Sequence, residues 1–243
     1  MPKAQPAAPA ASFDHPLPQL RAAALLFDMD GTLVDSTALV ESTWAGFCAR
    51  HGTDLAEVLA FAHGRPTRET VSHFVPDPDL AAAETRRLVA LEESETSGIT
   101  EIPGARAFLA ALPPDSWAVV TSAGRRLAEV RLAAAGLPLP EIMVSADEVV
   151  HGKPHPEGYL RAAALLGVEP ADTIVFEDSD AGVRAALASG ARTVVIGGLD
   201  AFGEVAEQCA DFRGFQVATA PSAPGEVLLT VPTPPTDPTG ERR

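Results

Sequence analysis

Four short apolar runs recur along the second half of the chain: Trp117 to Val120, Ile142 to Val144, Thr173 to Phe176 and Thr193 to Ile196. They are apolar at consecutive rather than alternate positions and rich in β-branched residues, the pattern of strands covered on both faces. Between them Arg125 to Ala135, Pro156 to Leu166 and Ala181 to Ser189 place apolar residues at i, i+3 and i+4. Gly136, Gly167 and Gly190 stand just past their ends, where a helix takes a left-handed cap. The alternation predicts a βαβ series and therefore an α/β fold with a doubly wound parallel sheet. Ala23 to Phe27 adds a strand near the N-terminus.

From about Thr37 to Thr100 the period changes. Val40, Trp44, Phe47 and Cys48, then Leu55, Val58 and Leu59, then Leu80 to Leu91 fall at helical spacing with no strand candidate between them. The chain is expected to leave the sheet after its first strand, fold a small helical cap domain over residues 37–100, and return. The core domain is then 21–36 together with 101–219. Residues 1–20 are rich in Ala and Pro, and the prolines repeated through 220–243 block helix and ladder pairing, so both ends are expected to be loose tails. A helical insert at that point sits over the C-terminal ends of the strands, where open α/β sheets bind ligands, and can act as a lid.

The 243 residues, 46% of them apolar, are enough for a sizeable core. A formal net charge of −15 repels nucleic acid phosphates and anionic membranes, which favours a small-molecule substrate and no nucleic-acid or membrane partner. No run reaches the ~18–20 apolar residues of a spanning helix, and MPKAQPAAPAASF lacks the apolar stretch of a signal peptide. A cytoplasmic monomer is expected. Cys48 and Cys209 stand at no metal-ligand spacing and read as ordinary thiols.

The chemistry concentrates where strands end. The first strand runs straight into Asp28, Met29, Asp30, Gly31 and Thr32. In extended backbone, residues two apart point the same way, so the two carboxylates are expected to face one pocket with Met29 in the core. Two close carboxylates repel, and a divalent cation resolves the conflict. Mg²⁺ takes hard oxygen ligands and leaves room for a substrate phosphate. Gly31 permits a sharp exit from the strand, and Thr32 can hydrogen-bond nearby backbone. Among 18 basic residues only Lys3 and Lys153 are lysines, so the single interior lysine stands in the segment His151-Gly152-Lys153-Pro154. A compact ammonium suits a crowded phosphate and carboxylate site as a point charge.

The run Asp28-Met29-Asp30-Gly31-Thr32-Leu33 resembles the first motif, DxDGT[LV], of the haloacid dehalogenase superfamily phosphohydrolases. Val119-Val120-Thr121-Ser122 resembles the second motif, in which either Thr121 or Ser122 can supply the phosphate-binding hydroxyl. The Lys153 segment resembles the third, and Val175-Phe176-Glu177-Asp178-Ser179, followed by Gly182, resembles the fourth. The motifs occur in order and the resemblance covers about residues 21–200. It implies a Rossmann-like core with a C1-type cap, Asp28 as nucleophile and Asp30 as general acid and base. It also implies Mg²⁺ on Asp28, Asp178 and the Asp30 backbone carbonyl, with Glu177 assisting directly or through a water. Lys153 and Thr121 or Ser122 would hold the phosphoryl oxygens. Asp180, Asp35, Asp147 and Glu148 read as capping or solvated acids.

Phe61 to Thr67, Glu93 to Thr100 and Gly152 to Glu157 are similar to segments of bacterial sugar and polyol phosphatases and of glycerol-phosphate phosphatases. The resemblance implies a small sugar or polyol phosphate as substrate, with Trp44, His63, Arg65, Thr67 and Glu41 as candidate contacts to its hydroxyls. The alternative is a phosphomutase of the β-phosphoglucomutase type, with Arg65 and Arg68 holding a second phosphate; Thr67 stands where that family has an arginine. A metal-free dehalogenase lacks the second aspartate. A non-catalytic sugar-phosphate sensor would not need the complete set of groups present here.

Overall fold

The apolar runs become strands. The computed structural model describes residues 19–203, 206–219 and 226–232. Strand β1 (Gln19–Ala22) leads into β2 (Ala24–Phe27), every residue of which is buried. After the short β3 (Val34–Asp35) come four helices, α1 (Thr37–His51), α2 (Leu55–Ala62), α3 (Thr67–Phe74) and α4 (Pro78–Ser94). The chain returns through β4 (Thr100–Glu101), which pairs antiparallel with β3. It continues through α5 (Ala105–Ala110), β5 (Trp117–Val120), α6 (Arg125–Ala134), β6 (Ile142–Val144) and α7 (Glu157–Leu166). Then follow β7 (Thr173–Glu177), α8 (Asp180–Ser189), β8 (Arg192–Ile196), β9 (Glu207–Cys209), β10 (Gln216–Thr219) and β11 (Val227–Thr230).

The main sheet has the order β6-β5-β2-β7-β8-β9 with all pairs parallel. Its register decides where the chemistry goes. Phe27 lies opposite Val119 on one side and Phe176 on the other, so the residues that follow each of them emerge together at the C-terminal edge. The strands are fixed from below by packing: Phe27 stacks on Phe176 at 4.9 Å between centroids, with Phe108 and Phe212 closing around them. Met29 is fully buried in the same cluster, as its place between two aspartates predicts.

Helices α1 to α4 bury a cluster of their own, with Trp44, Phe47, Val58, Val71 and Leu88 at its centre. Helix α3, TRETVSHF, is not marked in the sequence by apolar periodicity; its two large apolar residues, Val71 and Phe74, pack on α4's neighbours and tertiary contact overrides weak propensity.

The C-terminal stretch differs from expectation. Its prolines do not prevent pairing, because Val227–Thr230 occupies the gap between Pro224 and Pro232 and forms an antiparallel sheet with β1 and β10. Val227 and Leu229 are fully buried while Leu228 and Thr230 are not, the alternation of a half-covered strand. Gln19 and Leu20, expected in the N-terminal tail, belong to β1. The remaining tail positions, 1–18, 220–225 and 233–243, lie outside the described residues. Among the described residues no helix is long and apolar enough to cross a membrane, and Cys48 and Cys209 are buried free thiols.

Candidate active site

Asp28 is the first residue past β2. The chain turns at once: the amides of Leu33 and Val34 donate to the Met29 carbonyl at 2.8 and 2.9 Å, and the Gly31 amide donates to the Val34 carbonyl at 2.8 Å. Gly31 has φ +84°, and a Cβ built there would lie 2.0 Å from Asp178 Oδ2. Only glycine allows both that backbone and that approach. Thr32 Oγ1 donates to Asp178 Oδ1 at 3.0 Å, so the first motif holds the fourth in place.

Lys153, in the loop before α7, donates to Asp28 Oδ1, to Glu177 Oε1 at 2.5 Å and to the Val120 carbonyl at 3.2 Å. Glu177 is fully buried and every lone pair is used. Its Oε1 also accepts from the Tyr159 hydroxyl at 2.8 Å, and its Oε2 accepts from the Asp178 amide at 3.0 Å, the Ser179 amide at 3.1 Å and Ser179 Oγ at 3.0 Å. Burial alone would push the Glu177 carboxyl up; the Lys153 charge and these hydrogen bonds outweigh it and hold the group below its ordinary range. Glu177 is expected from the sequence to assist the metal. In the structure it is tied to Lys153, Tyr159 and Ser179, and it also lies in the same carboxylate group as Asp28 and Asp178.

A Cβ on Gly182 would lie 1.8 Å from Glu177 Oε1. Gly182→Ala should therefore displace that carboxylate, at a cost of about 1–3 kcal/mol, and lower activity because Lys153 loses a fixed partner. A thermal scan and a turnover assay read the two effects; an unchanged melting temperature with full turnover would contradict the packing described.

Asp28, Glu177 and Asp178 each offer an oxygen within 4.8 Å of the others. Three carboxylates against the Lys153 ammonium leave two negative charges. Burial pushes the Asp28 carboxyl well above the usual range, against the pull of Lys153, and Glu177 and Asp178 push it further. Burial raises Asp178 as well. Hard oxygen donors carrying two uncompensated charges fit a divalent cation, with Asp28 and Asp178 as the available ligands.

The Asp30 carboxylate is not one of the three that lie within 4.8 Å of one another. After the turn the Asp30 carboxylate accepts from Ser36 Oγ and from Arg131 Nη1, each at 2.7 Å.

The two candidate hydroxyls of the second motif separate. Thr121 Oγ1 accepts from the Ala123 amide at 3.0 Å and caps its own turn, whereas Ser122 Oγ donates to the Gly64 carbonyl at 2.8 Å, facing the helical unit. Neighbouring His63 places Nε2 2.9 Å from Asp178 Oδ2, and that hydrogen bond raises the imidazole above its ordinary value. Arg65 stacks over Phe61 at 4.8 Å from the ring centroid, Thr67 opens α3, and Arg68 donates to the Ala146 carbonyl at 3.3 Å. Trp44, a candidate substrate contact, is 4% exposed and packs edge-on against Phe47, so it is core of the helical unit. Glu41 is exposed on α1. A small cleft is lined in part by Pro66, Thr121, Ser122, Lys153 and Tyr159. The acids read as caps behave so: Asp35 accepts from the Thr37 amide, Asp147 from the Arg125 amide and Glu148 from Ser145.

Tyr159, Arg131 and Glu92 are not singled out by motif. A signal existed for each: Tyr159 is the only tyrosine in the chain, and Arg131 and Glu92 interrupt the buried stripes Leu127-Ala128-Arg131-Leu132 and Ala81-Glu84-Leu88-Glu92. A charge on an apolar face needs a buried partner.

The family model of haloacid dehalogenase-like hydrolases matches residues 22–190. Hexitol phosphatase A of Escherichia coli is 44% identical over 181 residues, covering 73% of this chain and 84% of that protein. The 2-deoxyglucose-6-phosphate phosphatase 2 of Saccharomyces cerevisiae is 34% identical over 205 residues, covering 74% and 82%. Among solved structures, CbbY from Rhodobacter sphaeroides in complex with phosphate aligns with a TM-score of 0.65 at 27% identity, over 79% of this chain and 96% of that one. With the motifs in order at one sheet edge, the chain belongs to the haloacid dehalogenase-like hydrolase family.

Proposed function

We propose that this chain is a Mg²⁺-dependent phosphatase that hydrolyses small sugar or polyol phosphates through an aspartyl-phosphate. The observation that carries the reading is the Asp28 carboxylate at the end of a central strand, paired with a buried ammonium and set beside Asp178. The substrates named for the hexitol and deoxyglucose-phosphate phosphatases support the substrate class.

In the first half-reaction an Asp28 oxygen bonds to phosphorus as the bond from phosphorus to the alcohol oxygen breaks, and Asp30 supplies the proton that the alcohol takes. In the second, Asp30 accepts a proton from water, the water oxygen bonds to phosphorus, and the Asp28 ester bond breaks to free phosphate. Lys153 and the hydroxyl of Thr121 or Ser122 would hold the phosphoryl oxygens, where positioned charge contributes most to such transfers; Thr121 Oγ1 accepts from the Ala123 amide and keeps its proton to donate, whereas Ser122 Oγ gives its proton to the Gly64 carbonyl. Glu177 fixes Lys153 rather than touching substrate. The cation, held by Asp28 and Asp178, would screen the repulsion between nucleophile and phosphate; hard carboxylate ligands and room for phosphate favour Mg²⁺.

The helical unit acts as the cap. Four contacts tie it over the strand ends: His63 to Asp178, Gly64 to Ser122, Arg68 to Ala146 and Glu92 to Arg131. Such a lid admits a small leaving group and excludes macromolecules. The relatives of highest identity reported above are phosphatases, which favours hydrolysis over a mutase reaction.

The test is a phosphate-release screen over small phosphorylated sugars and polyols with Mg²⁺, run beside β-glucose 1-phosphate with its bisphosphate. Release from the first set is expected; isomerisation without release would select the mutase. Adding EDTA should abolish release and excess Mg²⁺ should restore it, and turnover that survives chelation would remove the metal from the account.

A further inference from the structure

A second charged cluster lies beside the site, in the interface between α6 and α4. Arg131 Nη1 donates to Asp30 Oδ2 at 2.7 Å and Nη2 donates to Glu92 Oε1 at 2.6 Å. The Arg131 and Glu92 side chains are 4% and 6% exposed. Among the described residues the guanidinium has these two charge partners, and its Nε finds no acceptor. A buried ion pair in an apolar stripe is a poor stabiliser, since hydrophobic residues of similar volume often do as well or better. Its use lies in what it holds. Asp30 is two residues from the nucleophile and belongs to the core, as does Arg131, whereas Glu92 belongs to the helical unit. Ser36, the last residue before α1, donates to the other oxygen of Asp30 at 2.7 Å. Both oxygens of this carboxylate are thus gripped, one at the point where the chain enters the helical unit and one by an arginine that the same unit shares.

We propose that Arg131 is a positioning residue for Asp30, and that Glu92 makes this positioning depend on the docking of α4 against α6. The inference rests on the phosphatase reading, in which Asp30 gives the leaving alcohol its proton. Departing alkoxide needs that proton and departing nitrophenolate does not, so misplacing Asp30 should penalise alkyl phosphates selectively.

The experiment compares leaving-group release at excess enzyme from an alkyl phosphate and from p-nitrophenyl phosphate, with steady-state kcat and KM for the former. Arg131→Met is expected to lose at least about tenfold more rate on the alkyl ester than on the nitrophenyl ester, and to lose it in kcat more than in KM. Arg131→Lys should recover part of the difference. Glu92→Gln should shift the ratio in the same direction by less. Should Arg131→Met fail to fold because Glu92 is stranded, the double variant Glu92→Gln with Arg131→Met removes both charges and reads the same ratio. Equal losses on the two esters, or a loss confined to KM, overturn the positioning role. Absence of phosphate release by the wild-type chain is a different failure, since it removes the phosphatase reading and this inference with it.

Discussion

Asp28→Asn is expected to cut phosphate release at least about 10³-fold while leaving the melting temperature unchanged or higher. The two halves of this expectation have separate causes. Turnover fails because an amide oxygen cannot serve as the nucleophile, and no other carboxylate takes its place: Glu177 is spent on Lys153, Tyr159 and Ser179, and Asp178 is held by Thr32 and His63. Stability persists because Asn keeps the shape and an acceptor for Lys153, and removes one of three crowded carboxylates. Burial already pushes Asp28 well above the usual carboxylate range, so its charged form is a burden to the fold. The check is a phosphate assay beside a thermal scan of the same preparation. A folded variant with wild-type turnover would end the nucleophile assignment.

How much of this was legible beforehand depended on whether a local pattern reached the physics that decided the outcome. The buried parallel strands were legible because cover on both faces forces every position to be apolar, and Trp117–Val120 and Ile142–Val144 coincide with the runs read in the sequence. Lys153 stood out because the chain uses arginine almost everywhere else. Strand β11 was hidden by the prolines around it, although Val227, Leu229 and Val231 alternate as a half-buried strand must. The partners of Asp30 were hidden because its carboxylate is held by Ser36 and Arg131, neither of which the local pattern marks as its neighbour. The different partners of Thr121 and Ser122, one holding its own turn and the other reaching the helical unit, are a tertiary matter that the sequence does not carry. Arg131 and Glu92 showed only as charges on apolar stripes; they pair with each other, and Arg131's second partner, Asp30, is 101 residues away in the chain.

Glu177→Gln is expected to produce the largest loss of stability at the site, about 3–5 kcal/mol, or roughly 6–20 °C in melting temperature for a chain of this size. The carboxylate accepts on both oxygens, from Lys153 and Tyr159 on one side and from two amides and the Ser179 hydroxyl on the other. Whichever way the amide of Gln is turned, its NH₂ group meets a row of donors, and Lys153 loses a buried counter-charge. The sign of the pH dependence follows from the direction of the shift. The folded-state carboxyl is held below its ordinary value of 4.5, so its contribution is fully present above that value and is lost as pH falls through the lower, folded one. The wild-type chain should therefore be far more stable than the variant at pH 7, and the gap should close progressively below about pH 4.5. Melting curves of both proteins between neutral and acid pH measure this directly. Equal stability at pH 7, or a gap that widens in acid, would mean that the Lys153–Glu177 pair does not hold the strand ends together, and the position of Lys153 over Asp28 would need another cause.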